Sequence, residues 1–263
     1  MTDDDRMNRA AGAARGWLDD LHLAAGFLTR VVPAPQGDAG ARPLAEAARV
    51  FPLVGAALGL AAGVVFAAAA RLGLPPSLAA ICALAVLVLA TGALHEDGLG
   101  DTADGFGGGG GREQKLAIMR DSRTGVYGMI AIALGLIARL AAIAALAGPG
   151  PVLGALIAAG AVSRAAMPAV MLSLPSARGD GLGASAGRPA RNDVIIGIAL
   201  AAAIALVTVG IGAAIVALAA CALAAKAAEA LARRQIGGHT GDVLGAVQQA
   251  CEIAALFVFV ALQ

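Results

Sequence analysis

The chain has 263 residues, of which 59% are hydrophobic, 14% charged and 3% aromatic, with a formal net charge of +1. Apolar runs long enough to cross a hydrocarbon core of about 30 Å mark a polytopic helical membrane protein. The balanced charge gives no bulk electrostatic case for nucleic acid, and the short alternating segments of a membrane β-barrel are not visible.

In chain order, residues 1–15 read as a disordered polar tail, and 16–263 as one membrane-embedded catalytic domain. Gly16 to Val32 reads as an amphipathic helix at the membrane interface, with Trp17, Leu21, Ala24 and Leu28 on one face and Asp19, Asp20 and His22 largely elsewhere. Pro33, Pro35 and Gly37 end it. Seven hydrophobic segments follow, over 50–71, 77–95, 126–147, 151–173, 194–209, 211–231 and 245–262. Short links at Gly73-Leu-Pro-Pro76 and Gly148-Pro-Gly-Pro151 join two pairs of them, and polar loops occupy 96–125, 174–193 and 232–244. The expected architecture is therefore all-α, about seven transmembrane helices plus the interfacial helix.

The stretch 194–231 would read as one long helix, or as two spans turning at Gly210-Ile-Gly212. Charge favours two. Arg112, Lys115, Arg120 and Arg123, then Arg178, Arg188 and Arg191, then Arg233 and Arg234 mark the three polar loops. Seven spans place all of these on one face, which the positive-inside rule makes cytoplasmic. Gathering the polar chemistry on one side fits an enzyme better than a transporter, which needs access from both. Cys82, Cys221 and Cys251 sit in apolar stretches at no metal-like spacing and read as small core residues.

The first polar loop carries the densest chemistry. Asp97-Gly-Leu-Gly-Asp101-Thr-Ala-Asp104-Gly places carboxylates at i, i+4 and i+7, within one stripe of a helix. Unpaired carboxylates so placed repel unless a cation sits among them, and oxygen-only ligands select Mg²⁺ or a similar hard ion. Gly98, Gly100 and Gly105 each cost roughly 1 kcal/mol inside a helix, so their presence implies close approach of backbone or substrate. The five glycines from Gly107 to Gly111 lack the Lys-Ser/Thr of a P-loop and read as a hinge. Arg120 and Arg123 flank Asp121 and have the fork geometry for phosphate oxygens, although a local salt bridge is the plainer alternative.

His95 precedes the acidic stripe and is a candidate substrate contact. Arg139 and Arg164 lie within apolar segments, where a charge must be paired or face a polar interior. Lys226 and Glu229 are spaced to pair with each other. The third loop, Gly237 to Ala246, supplies a second Gly-Asp motif at Asp242, followed by Glu252.

With these residues laid out, the chain resembles the cobalamin synthase family, the adenosylcobinamide-GDP ribazoletransferases. The resemblance runs through Phe27-Leu-Thr-Arg30, Phe51-Pro-Leu-Val-Gly55, His95-Glu-Asp-Gly-Leu-Gly-Asp-Thr-Ala-Asp-Gly105, Ile118-Met-Arg-Asp-Ser-Arg-Thr-Gly125, Ser163-Arg164 and Thr240-Gly-Asp-Val-Leu-Gly-Ala246. One departure is Gln249, where some relatives carry Glu, which leaves Glu252 as the acidic position there. The resemblance implies a Mg²⁺-dependent reaction in the bacterial inner membrane, with its site facing the cytoplasm. It would join adenosylcobinamide-GDP to α-ribazole or its 5′-phosphate and release GMP. On the bottom-up chemistry, Asp97, Asp101 and Asp104 would hold the metal, and Asp121 or Asp242 would complete it or accept the hydroxyl proton. Arg120, Arg123 and Arg164 would steady the phosphates. Beyond the two substrates and the lipid bilayer, the partners it suggests are a second copy of the chain or other cobalamin-assembly enzymes. A CDP-alcohol phosphatidyltransferase also uses Asp-Gly motifs on membrane helices, but no Ala-Arg pair stands where that family's pattern requires it.

Overall fold

The computed structural model describes residues 3–33, 42–146, 148–179, 181 and 185–263, with side chains from Gly16 onward. Ten α-helices are described: α1 (Asp3–Leu28), α2 (Phe51–Arg71), α3 (Pro76–Thr91), α4 (Leu94–Gly108), α5 (Arg112–Ile118), α6 (Val126–Ala145), α7 (Pro149–Ser173), α8 (Arg191–Val209), α9 (Ile211–Ile236) and α10 (Gly241–Ala261). A 3₁₀ segment, Leu44–Val50, leads directly into α2. Among the described residues, six stretches are long and apolar enough to span a membrane, and the bent pair α3 and α4 makes a seventh if counted as one.

The helix pair expected within 194–231 is present. Gly210, at φ 79°, ends α8 and starts α9 in a conformation that side chains disfavour. The first helix departs from expectation. It begins at Asp3 rather than Gly16, because Arg6–Arg15 is rich in alanine and arginine, both strong helix formers. Within its apolar face Ala24 and Leu28 are buried in the bundle, and Asp20, expected largely off that face, is buried too. The Asp20 carboxylate pairs with Arg42 and Arg49, each at 2.7 Å, and the Arg49 guanidinium lies 4.4 Å from the Trp17 ring centroid. These contacts pin α1 onto the 3₁₀ segment.

Helix α7 is the axle of the bundle. Its most apolar window is 83% buried, against 17–28% for α6, α8 and α9, whose exposed leucines, isoleucines and valines suit a lipid boundary. Gly55 of α2 and Gly160 of α7 meet backbone to backbone, and a Cβ on either would collide with the other's carbonyl. Small residues of this kind let membrane helices approach closely enough for dispersion to hold them.

The loop expected over 96–125 is mostly helix. Helix α3 stops at Gly92 and Ala93, both left-handed (φ 63° and 57°), and α4 leaves at 83° to α3. A left-handed alanine costs about 1–2 kcal/mol; the Ala93 amide recovers part of this by donating to Val88 O at 2.8 Å. The glycine run ends α4 at Gly108 and leads into α5 at Arg112. The third loop shrinks to Gly237–Thr240, because α9 continues to Ile236 and α10 starts at Gly241.

At this end of the bundle the three polar connections touch. Ala177 N donates to His239 O (2.8 Å) and His239 N to Pro175 O (2.9 Å). Arg112 donates to the carbonyls of Ile236 and Ala177, and Arg178 donates to Leu116 O. The sharing of one face by the three polar loops is thus a matter of direct hydrogen bonding.

Candidate active site

Helix α4 packs backbone to backbone against the start of α10. A Cβ on Gly98 would stand 2.8 Å from Asp242 O and 3.2 Å from Gly245 Cα. Gly98 and Gly245 therefore let the two acidic helix starts lie against each other. Asp97 and Asp101 from α4 and Asp242 from α10 consequently fall in one electrostatic group. Asp97, Asp242 and Asp104 all act on Asp101, and Arg178 is the cation that opposes them. Arg178 Nη1 lies 3.8 Å from Asp242 Oδ2. Thr240 caps α10, accepting from Val243 N at 3.2 Å, and its hydroxyl donates to Asp242 at 3.1 Å.

Asp97, Asp242 and Arg178 line a cavity of about 250 Å³. His95 and Thr240 share its polar side, whereas α1, α2 and α7 contribute Phe27, Phe51, Met167 and Met171. His95 is buried, and its Nε2 has no hydrogen-bond partner. Beside the cavity, in the Gly237–Thr240 turn, burial pushes the His239 imidazole below its ordinary pKa, so it stays neutral.

Several expected site residues lie elsewhere. Asp104 uses both carboxylate oxygens on the start of α6: Oδ2 accepts from Gly125 N (2.7 Å) and Oδ1 from Gly128 N (2.8 Å). A carboxylate at a helix N-terminus satisfies orphan amides and the positive end of the dipole. A Cβ at Gly125 or Gly128 would strike it, which accounts for the Gly-x-x-Gly spacing there. Asp104 is thus a clamp between helices. Asp121 and Arg123 bind each other in an exposed turn, with Nη2 to Oδ2 at 2.6 Å; the guanidinium holds the Asp121 carboxyl down at about 2. Neither lines the cavity. Arg120 lines a neighbouring surface groove with Arg112 and Glu113, which shares Arg178 with the cavity.

Arg164 is buried in a network beneath the cavity. Arg139 Nη2 meets Glu96 Oε1 at 2.7 Å and its Nη1 meets Glu252 Oε1 at 3.3 Å, while Arg164 Nη1 is 3.6 Å from Glu252 Oε2. Gln248 donates to Ser163 (3.2 Å) and to Glu252, and Gln249 donates to Glu96 (3.3 Å). The need of Arg139 and Arg164 for partners is legible in the sequence, and Gln249 belongs to this network rather than to the acidic cluster. Sequence reasoning misses Glu96 because it stands one residue from the acidic stripe. It misses Arg178 because nothing local distinguishes that residue from Arg188 or Arg191. The intramembrane pairing expected of Lys226 and Glu229 is present at 2.7 Å, and Cys221 and Cys251 are buried core residues.

Among the described residues, no three His, Cys, Asp or Glu side chains stand close enough to enclose an ion by themselves. Mg²⁺ does not demand such a cage: it is commonly held by one or two carboxylates and completed by substrate phosphates and water. Asp97, Asp101 and Asp242, opposed only by Arg178, fit that partial, oxygen-only role.

Fold and site together define a multi-pass helical membrane protein that carries an acidic, arginine-edged cavity at one end of its bundle. Residues 20–260 match the family model for cobalamin-5-phosphate synthase, and the chain belongs to that family. It is 47% identical over 249 residues to the adenosylcobinamide-GDP ribazoletransferase of Bradyrhizobium diazoefficiens, covering 95% of this chain and 96% of the relative. The protein of that name from Mesorhizobium japonicum is 49% identical over 241 residues, with 92% of each chain covered. That from Azorhizobium caulinodans is 47% identical, covering 91% of this chain and 94% of its own. No solved structure matches the chain.

Proposed function

We propose that this protein joins adenosylcobinamide-GDP to α-ribazole, or its 5′-phosphate, with release of GMP. The carrying observation is the meeting of Asp97, Asp242 and Arg178 at one cavity, with Asp101 coupled to all three, in a chain of this family. In the reaction a ribose hydroxyl attacks the phosphorus nearer the cobinamide. A new P–O bond to ribose forms, the P–O–P bridge breaks, and GMP leaves with the bridging oxygen.

Such transfers depend on positioning and charge neutralisation more than on covalent help from the protein. Asp97 and Asp101, one turn apart on α4, would hold Mg²⁺ against the pyrophosphate. When bound, the ion offsets phosphate charge and the charge that develops on the leaving group. Arg178 approaches the same oxygens from the loop after α7. Asp242, fixed by the Thr240 hydroxyl, is placed to accept the hydroxyl proton. The arginines of the three polar loops suit a cytoplasmic orientation of this face.

The test is a coupling assay on purified protein in detergent, supplied with both substrates, with and without Mg²⁺. Mg²⁺-dependent GMP release matched by a cobalamin product supports the reading. Turnover undiminished by a chelator would remove the metal from it, and folded protein that makes no product under any condition would overturn it.

A further inference from the structure

The cavity has two chemical faces, and they sort the substrates. Asp97, Arg178 and Asp242 come from α4, the loop after α7 and α10, whereas Phe27, Phe51, Met167 and Met171 come from α1, α2 and α7. We propose that the Phe27, Phe51, Met167 and Met171 wall is the subsite for the benzimidazole base of ribazole. This rests on the transferase reading above and adds to it which substrate fills the cavity, and which way round.

Size is the first argument. A cavity of about 250 Å³ lies below the range of roughly 300–1,000 Å³ usual for drug-sized ligands. It suits a nucleoside and excludes a corrinoid, which must stay outside and present only its pyrophosphate.

Polarity is the second. The substrates carry three aromatic bases: guanine, the adenine of the adenosyl group, and dimethylbenzimidazole. Guanine and adenine bring donors and acceptors along their edges, and burying these against phenylalanine and methionine leaves them unpaired. Dimethylbenzimidazole presents methyl groups and one ring acceptor. Methionine side chains adapt to such a ring and make favourable sulfur–aromatic contacts.

Placement is the third. With the base in the apolar wall, the ribose is directed toward Asp242 and the pyrophosphate toward Asp97 and Arg178.

The experiment uses full-length protein in detergent and reads both α-ribazole binding, by equilibrium dialysis, and the KM of each substrate. Met171→Gln is expected to weaken α-ribazole binding and raise its KM about tenfold, the scale of a mismatched apolar pocket, with the KM for adenosylcobinamide-GDP within twofold and Met171→Leu restoring both. A KM change confined to adenosylcobinamide-GDP, or α-ribazole binding unaffected by Met171→Gln, overturns the subsite. Dialysis reads the binding of α-ribazole whether or not turnover occurs. Absence of turnover with α-ribazole binding intact strikes the transferase reading instead.

Discussion

Glu96 and Asp97 are neighbours in the chain, yet they belong to two polar regions with opposite charge balance. Glu96 faces into the bundle, where two glutamates meet two arginines, Arg139 and Arg164, and the buried charges cancel. Asp97 lines the cavity and belongs with Asp101 and Asp242 to an acidic group that, among the described residues, Arg178 opposes. The first region is complete as it stands and holds α4, α6, α7 and α10 together. The second has an excess of negative charge that the protein alone does not neutralise, which is the condition expected of a site built for a cation and its phosphates. Charge balance, more than residue type, separates scaffold from site here.

The comparison breaks if the inner network proves dispensable. Arg139→Met leaves Glu96 without its ion pair and Glu252 with Arg164 alone, and is expected to cost about 3–5 kcal/mol. Adding Glu96→Gln should recover about 1–3 kcal/mol as a coupling energy. Unfolding in detergent measures both. If Arg139→Met were no less stable than wild type, the network would not be the scaffold described.

The outer cluster should behave in the opposite sense. Asp101→Asn is expected to lower turnover by about 10²–10³-fold, the scale of losing a group that manages transition-state charge. Its stability should be equal to or above that of wild type, because a carboxylate has been removed from a like-charged group. Full turnover in Asp101→Asn would place the chemistry elsewhere.

Asp104 sharpens the boundary between the two regions, since it belongs to the acidic stripe by sequence and to the scaffold by contact. Asp104→Asn turns one of its two acceptors into a donor facing an amide. It should cost about 1.5–3 kcal/mol, the worth of a charged hydrogen bond, and lower activity only through misplacing α6. A thermal shift with kcat reduced far less than in Asp101→Asn is the expected pattern.

How much of this is legible in the sequence follows from what each residue's neighbours along the chain reveal. The spans, the break at Gly210 and the in-phase acidic stripe are local patterns and can be read. Helix α4 cannot be read as a continuation of structure, because its glycines disfavour a helix by propensity. It is helical because Gly98 and Gly100 allow α10 and α6 to pack directly on it. The role of Asp104 depends on Gly125 and Gly128, more than 20 residues away, and that of Arg178 on Asp242. No periodicity carries such pairings. Arg139 and Arg164 announce a need for partners, because isolated charge in lipid is costly, and Glu252 is the one acid at matching depth in the last span.

The smallest effect is expected at Asp121, which resembles the cluster in sequence and differs from it in every contact. It is exposed and paired with Arg123 two residues on. Its carboxyl titrates near 2, below the ordinary value of about 3.9. A depressed acid contributes stability above its unfolded pKa and loses it as pH falls through the folded one. The pair is therefore fully formed from pH 5 to 8 and weakens only below about pH 4. Exposed pairs contribute little, so Asp121→Asn should melt in parallel with wild type from pH 5 to 8 and keep turnover within about twofold. A loss approaching that of Asp101→Asn would bring this turn into the site when substrate binds, and the boundary drawn between scaffold and cavity would have to move outward to include it.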